Sequence, residues 1–115
     1  MAEMQAEAMV KMRIGDHLSQ VAADGNGPVS ALDAAVRKAL SEVHAEIAQV
    51  RLVDYKVRII DSGAGADAAV RVLIESSDGV RLWRTVGAST DVVGASLLAL
   101  QDAYEYWLFH WGQSV

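Results

Sequence analysis

Val10-Lys11-Met12-Arg13-Ile14, then Gly15-Asp16 and residues 17–40, reads like Val70-Arg71-Val72-Leu73-Ile74, then Asp78-Gly79 and residues 81–104. Laying Leu18 on Leu82 puts Val29 on Val93, Ala31 on Ala95, Ala35 on Ala99 and Ala39 on Ala103, all at one constant offset. The chain therefore writes a hairpin followed by a helix twice, which predicts a pseudo-two-fold fold. Related units meeting face to face leave a crevice, the usual place for a small ligand.

Working outward, residues 10–14 alternate apolar with basic and residues 17–23 follow a Gly-Asp turn, the pattern of a β-hairpin. Asp24-Gly25-Asn26-Gly27-Pro28 breaks it: two glycines permit positive φ, and Pro28 pre-sets φ for a first helical position. From there Val29, Leu32, Ala35, Val36, Ala39, Leu40 and Val43 recur at three- and four-residue spacing, one apolar stripe on a helix that lies on a sheet. Residues 50–60 alternate as a strand, with Val53, Tyr55, Val57 and Ile59 on one side and Asp54, Lys56 and Arg58 on the other. After the small-residue run 61–67, two strands are predicted over 68–76 and 80–86, with Ser77-Asp78-Gly79 as their turn. Capping residues at 87–91 open the longest helix, 92–111, ended by Gly112.

That last helix is apolar almost all round: Val93, Leu97, Leu100 and Tyr104 make a stripe, yet Val92, Leu98, Phe109 and Trp111 fall outside it. Alternation likewise assigns Leu73 and Trp83 to the solvent side of the second sheet, among Lys56, Arg58, Arg71 and Glu75. Both features predict self-association, or a partner domain in a longer chain.

Composition narrows the function. The 115 residues, 52% hydrophobic, fit one domain with one core. Ten basic against 15 acidic residues give a net charge of -5, a poor match for nucleic acid or an anionic membrane. The absence of cysteine fits a reducing cytoplasm. Residues 1–8 carry Glu3 and Glu7 and no apolar run, so they read as neither signal peptide nor anchor.

No catalytic or metal-binding constellation stands out. His17, His44 and His110 sit on three different elements with no ligand spacing, so no metal is expected. Asp54, Glu75, Asp91, Asp102 and Glu105 read as strand, cap or helix-face carboxylates, and no activated nucleophile is visible. The glycine pattern at 63–68 mimics a dinucleotide-binding turn, but a strand follows it where that turn requires a helix. Gly25-Asn26-Gly27-Pro28 offers small residues and a helix N-terminus suited to a carboxylate, or else is a plain helix-start loop. Tyr55 is a core aromatic with a polar tip, or a pocket wall.

The blocks Asp24-Gly25-Asn26-Gly27-Pro28-Val29-Ser30-Ala31-Leu32-Asp33-Ala34, Leu52-Val53-Asp54-Tyr55-Lys56-Val57-Arg58, residues 70–77 and Trp83-Arg84-Thr85-Val86-Gly87-Ala88-Ser89 come in this order along the chain. Together they resemble the C-terminal regulatory domain of the 2-isopropylmalate synthase and citramalate synthase family, over residues 10–106. The resemblance implies an α/β fold of the α+β type: two pseudo-symmetric strand-strand-strand-helix units, helices packed on β-sheet. Residues 10–112 would form the single domain, with units 10–44 and 50–112 and a disordered or boundary tail at 1–9. The opening strand of the first unit is then either missing or built from residues 4–8.

In that family the domain dimerises and binds the pathway's end-product amino acid as a feedback inhibitor. The wording Val-Arg-Val-Leu-Ile-Glu-Ser-Ser-Asp-Gly at 70–79 is closer to the citramalate branch, which implies isoleucine, with leucine next. The implied partners are a second copy, the amino-acid effector and the catalytic barrel of a parent chain. No cofactor is implied for this domain. The family's acyl transfer belongs to a metal-binding TIM barrel with a His-x-His motif, which 115 residues cannot form, so the chain is expected to be a catalytically silent, excised regulatory domain.

By matching motif, the resemblance implies a hydrophobic effector pocket at the dimer interface. Leu52, Tyr55 and Ile59 would wall the branched side chain, Asn26, Gly27 and Ala31 would lie near the polar end, and Ala69 is a further candidate. Leu52 and Tyr55 have opposite parity on a regular strand, so the pairing requires Leu52 in the preceding turn or beside a bulge. A ligand-free structural dimerisation module is the alternative.

Overall fold

The computed structural model of the chain describes residues 5–60 and 69–112, so the glycine-patterned run 63–68 lies outside the described residues. Two compact units divide the chain, Met1–Ala48 and Gln49–Val115. A 3-10 turn, Ala45–Gln49, with Ile47 buried, falls at the division along the chain.

In the first unit β1 (Ala6–Ile14) pairs antiparallel with β2 (His17–Gly25), with Val10 opposite Val21. Gly15 takes φ 59° in the two-residue turn, the left-handed region such a turn needs at its first central position. Residues 6–8 continue β1, four residues ahead of the expected domain start at Val10, and form no separate opening strand. The described part of this unit is therefore strand-strand-helix, with one strand fewer than the resemblance implied.

Helix α1 (Pro28–Ser41) packs on this sheet through Ala31, Ala35 and Ala39, all with no exposed surface. Their small side chains let the helix approach the strands closely. Gly25 is part of the same fit: a Cβ there would collide with the backbone of Ser30 and Ala31. Neither Gly25 nor Gly27 adopts positive φ, so the expected conformational role of this glycine pair gives way, at Gly25, to a steric one. Val43 falls beyond the last helical turn and is exposed, which trims the expected stripe.

In the second unit β3 (Arg51–Ile60), β4 (Ala69–Ser77) and β5 (Leu82–Ser89) form an antiparallel sheet in that order, covered by α2 (Val92–His110). The helix lies on β4 and β5. Ala95, Ala99 and Ala103 are buried as their counterparts in α1 are, and a Cβ on Gly87 would strike the Ala95 carbonyl and come to 2.7 Å from the Ala99 nitrogen. The duplicated spacing thus marks the helix face that touches the sheet in each unit.

The β4–β5 connection corrects one expectation. Trp83 is buried at 8% exposure and lies opposite Ser76, on the helix side of the sheet. Its Nε1 donates to the Ala103 carbonyl at 3.1 Å, and Thr85 Oγ1 donates to the Ala99 carbonyl at 2.7 Å. The loop spans residues 78–81, longer than the turn expected, and parity counted along one strand does not carry across a turn of different length. Leu73, opposite Val86 on the far face, remains half-buried. The exposed side chains of α2, led by Phe109, Val93 and Leu98, match the expectation of a helix apolar on most sides.

That loop is docked on the end of α2. The Asp78 carboxylate accepts from the Val80 and Arg81 backbone N–H groups at 2.9 and 2.7 Å, from Arg81 Nη1 at 2.8 Å and from Trp107 Nε1 at 2.8 Å. Burial alone would raise the pKa of Asp78, but these donors outweigh it and hold the group well below the usual carboxylate range. The Arg81 guanidinium lies 4.6 Å over the Trp111 ring, which itself packs against Trp83. No helix among the described residues is long and apolar enough to cross a membrane.

Candidate functional site

β3 is an edge strand, and its sequence alternates until Val53. There the register shifts: Leu52 lies opposite Ser76 while Asp54 lies opposite Glu75, leaving Val53 as the extra residue of a bulge. Asp54 Oδ1 accepts from the Tyr55 N–H at 2.9 Å, a local bond within the irregular stretch. The bulge moves Leu52 onto the face that carries Tyr55, Val57 and Ile59, opposite Ile74, Val72 and Val70 respectively. Regular parity forbids this grouping, and the bulge is the device that permits it.

This face points to the side occupied by α2, yet the helix covers only β4 and β5. Val70, Val72 and Ile74 are consequently buried, while Tyr55 is 38%, Val57 42% and Ile59 70% exposed. Tyr55 is therefore not a core aromatic of this chain. Covering these side chains would gain, for each, the still exposed fraction of the ~1.5–3 kcal/mol that full burial is worth. Val57, which parity already grouped with Tyr55 and Ile59, joins the row although it is not among the expected effector residues. Ala69 lies opposite Ile60, on the other face of the sheet, and does not join the row.

The other candidate residues lie in the first unit, at the start of α1. Gly27 is the N-cap with extended backbone (φ -157°, ψ 174°) and no side chain caps the helix; the first helical bond runs from the Ala31 N–H to the Gly27 carbonyl at 2.9 Å. The first-turn N–H groups of a helix have no intrahelical acceptors. At α2 the Asp91 carboxylate fills this role, accepting from the Gly94 N–H at 2.7 Å. A Cβ at Gly27 would meet nothing within 4 Å, so open space adjoins the uncapped end. Asn26 is exposed, Gly27 half-buried, and Ala31 fully buried beneath them against the sheet.

The histidines have ordinary partners. His17 Nε2 lies 2.9 Å from Glu42 Oε1. His44 Nδ1 lies 3.5 Å from Glu46, and His110 packs on Tyr106. Among the described residues no three His, Asp or Glu side chains gather as metal ligands.

Residues 1–108 match the family model described as the LeuA allosteric (dimerisation) domain. The chain belongs to this family. Two curated relatives of this LeuA domain are (R)-citramalate synthases. That of Aquifex aeolicus is 50% identical over 101 residues, 88% of this chain and 19% of that protein. That of Synechocystis sp. is 51% identical over 108 residues, 93% of this chain and 20% of that protein. The 2-isopropylmalate synthase of Aquifex aeolicus is more distant, 33% identical over 96 residues, 84% of this chain and 17% of that protein. The LeuA domain thus spans about a fifth of the length of the curated relatives it matches.

Proposed function

We propose that this LeuA domain is the end-product sensor and dimer contact of an (R)-citramalate synthase, with isoleucine as its effector and leucine the next candidate. The reading is supported first by identities of 50% and 51% to two (R)-citramalate synthases, against 33% to a 2-isopropylmalate synthase. The observation that carries it is the bulged edge strand. One extra residue at Val53 gathers Leu52, Tyr55 and Ile59, with Val57 between, into an apolar row that is half-buried at Leu52 and exposed at the other three. Such a row suits a branched aliphatic side chain, and the Tyr55 hydroxyl adds a polar tip.

The uncapped start of α1 has, by itself, the chemistry of a carboxylate site: free first-turn N–H groups, the positive end of the helix dipole and room beside Gly27. Asn26 and Gly27 line this end, with Ala31 buried beneath and its N–H spent on the Gly27 carbonyl, while Ala69 is a weaker candidate on the opposite sheet face from the row. An effector acts on a distant catalytic centre only through its different affinity for two arrangements of the enzyme, typically by about 1–3 kcal/mol of coupling. The dimer supplies those arrangements, and the synthase activity belongs to the parent chain.

Thermal melting with isoleucine, leucine and valine in parallel tests the proposal, since a ligand that binds only the folded state raises the melting temperature. Isoleucine should stabilise most. A hydrophobic pocket separates isomers that differ by the position of one methyl by only ~1–3 kcal/mol, so leucine should follow. No selective rise with isoleucine or leucine at several millimolar would sink the reading. A ligand-free dimerisation module is favoured by a separate observation, the exposed Val93, Leu97 and Phe109 of α2. Calorimetric titration of amino acids into a sample shown to be dimeric separates the two.

A further inference from the structure

The face of the second-unit sheet turned away from α2 carries a charge arrangement that the effector site does not use. Arg58 on β3 stands directly opposite Arg71 on β4, and Lys56 stands opposite Leu73 in the next row of the same face. Like charges placed directly across antiparallel strands destabilise a sheet. All three cations are exposed, and among the described residues none has an ion pair.

Among the described residues the two acids of this face have other partners. Glu75 is held by Arg84 Nε at 2.8 Å, and Asp54 accepts from a backbone N–H. The same face carries apolar side chains on either side of the Glu75–Arg84 pair: Leu73 opposite Val86 in one row and Leu82 in the last, Val86 and Leu82 being 47% and 56% exposed. In a chain with only ten basic residues and a net charge of -5, three unpaired cations beside exposed leucine and valine make a local surface of opposite character to the whole.

We infer that this face is a docking surface for an acidic protein surface contributed by the part of the synthase outside the LeuA domain. The choice of occupant rests on charge complementarity and on length. In the curated relatives about four-fifths of the chain lies beyond the matched segment, so an in-chain partner is present at high effective concentration. A protein surface satisfies both halves of the patch: its carboxylates neutralise Lys56, Arg58 and Arg71, and its apolar side chains cover Leu73, Val86 and Leu82. A nucleic acid or a free phosphate would leave these apolar side chains exposed, and the net charge opposes the former. The inference rests on the domain being part of a longer synthase and is independent of which effector it binds.

Zero-length carbodiimide coupling of a full-length synthase carrying this domain, read by peptide mass spectrometry, tests the docking. The reagent joins lysines to carboxylates already in contact. Lys56 should be joined to an Asp or Glu outside residues 1–115. Arg58→Glu sets a carboxylate across from Arg71, so the variant should melt no lower than the parent, yet its Lys56 link should fall about tenfold as one docking charge is reversed. Coupling of Lys56 only within residues 1–115, Asp61 and Asp67 included, or only to a second copy of this domain, overturns the inference. So does a Lys56 link undiminished by Arg58→Glu, or no Lys56 link in a sample whose other lysines are coupled.

Discussion

Replacing Tyr55 by alanine should separate folding from recognition. Tyr55 is 38% exposed on an edge strand, which for a tyrosine leaves about 80–90 Å² still to be covered. At ~25 cal/mol per Å² of apolar surface, covering that area contributes about 2 kcal/mol, or about 30-fold in a binding constant. The folded chain loses a cross-strand contact with Ile74 and the covered part of the ring, about 2–3 kcal/mol in all once the burial already present in the unfolded chain is discounted. The variant should still fold, with a melting temperature lower by roughly 10–15 °C, while isoleucine affinity by calorimetry or dimer affinity by sedimentation equilibrium drops about 30-fold. Tyr104, 2% exposed, is the control, since Tyr104→Ala removes a core aromatic at a cost of about 3–5 kcal/mol. The reasoning is refuted if Tyr55→Ala destabilises as much as Tyr104→Ala, or if both affinities survive intact.

Gly87→Ala should destabilise by about 3 kcal/mol in urea titrations, the upper end for overpacking, because its Cβ meets the backbone of α2 and a backbone cannot rotate away. Gly27→Ser, by contrast, enters open space and supplies the missing cap of α1; it should stabilise the fold by a few tenths of a kcal/mol and weaken any carboxylate ligand that uses the same N–H groups. Asp78→Asn should change how stability responds to acid. A carboxyl whose folded pKa lies below its unfolded value of about 3.9 contributes stability above that pH and loses it as pH falls toward the folded value. Denaturation series between neutral and acid pH should show the wild type converging on the variant below about pH 4; a constant gap across the range would contradict the assignment.

Much of this architecture was legible in the spacing of small residues. Ala31, Ala35 and Ala39 repeat as Ala95, Ala99 and Ala103 because each set must let a helix approach a sheet, and a steric demand of that kind leaves a periodic trace. The grouping of Leu52 with Tyr55 was legible only as a condition, that a bulge intervene. A bulge is a register relation between two strands, and a single strand's sequence does not contain it. Trp83 was misassigned for the same reason, since the length of the loop at 78–81 decides which face it takes. Tyr55 was open between core and pocket because alternation tells which face a residue takes and is silent on how far a helix reaches across that face. The contrast between the capped start of α2 and the uncapped start of α1 was partly visible, in Asp91 against Gly27.

The bulge at Val53 also sets the kind of change this domain can tolerate. Val53 is 51% exposed, so almost any side chain can stand there. Its removal is tolerable for the same reason. Deleting it would place Leu52 two residues before Tyr55, where regular alternation keeps both on one face and leaves Leu52 opposite Ser76 and Tyr55 opposite Ile74. A survey of single-residue deletions should find this position the mildest in the strand, since losing any one residue between Tyr55 and Ile59 turns part of the row to the other face: the bulge is a place where the count of residues can change and the pattern survive.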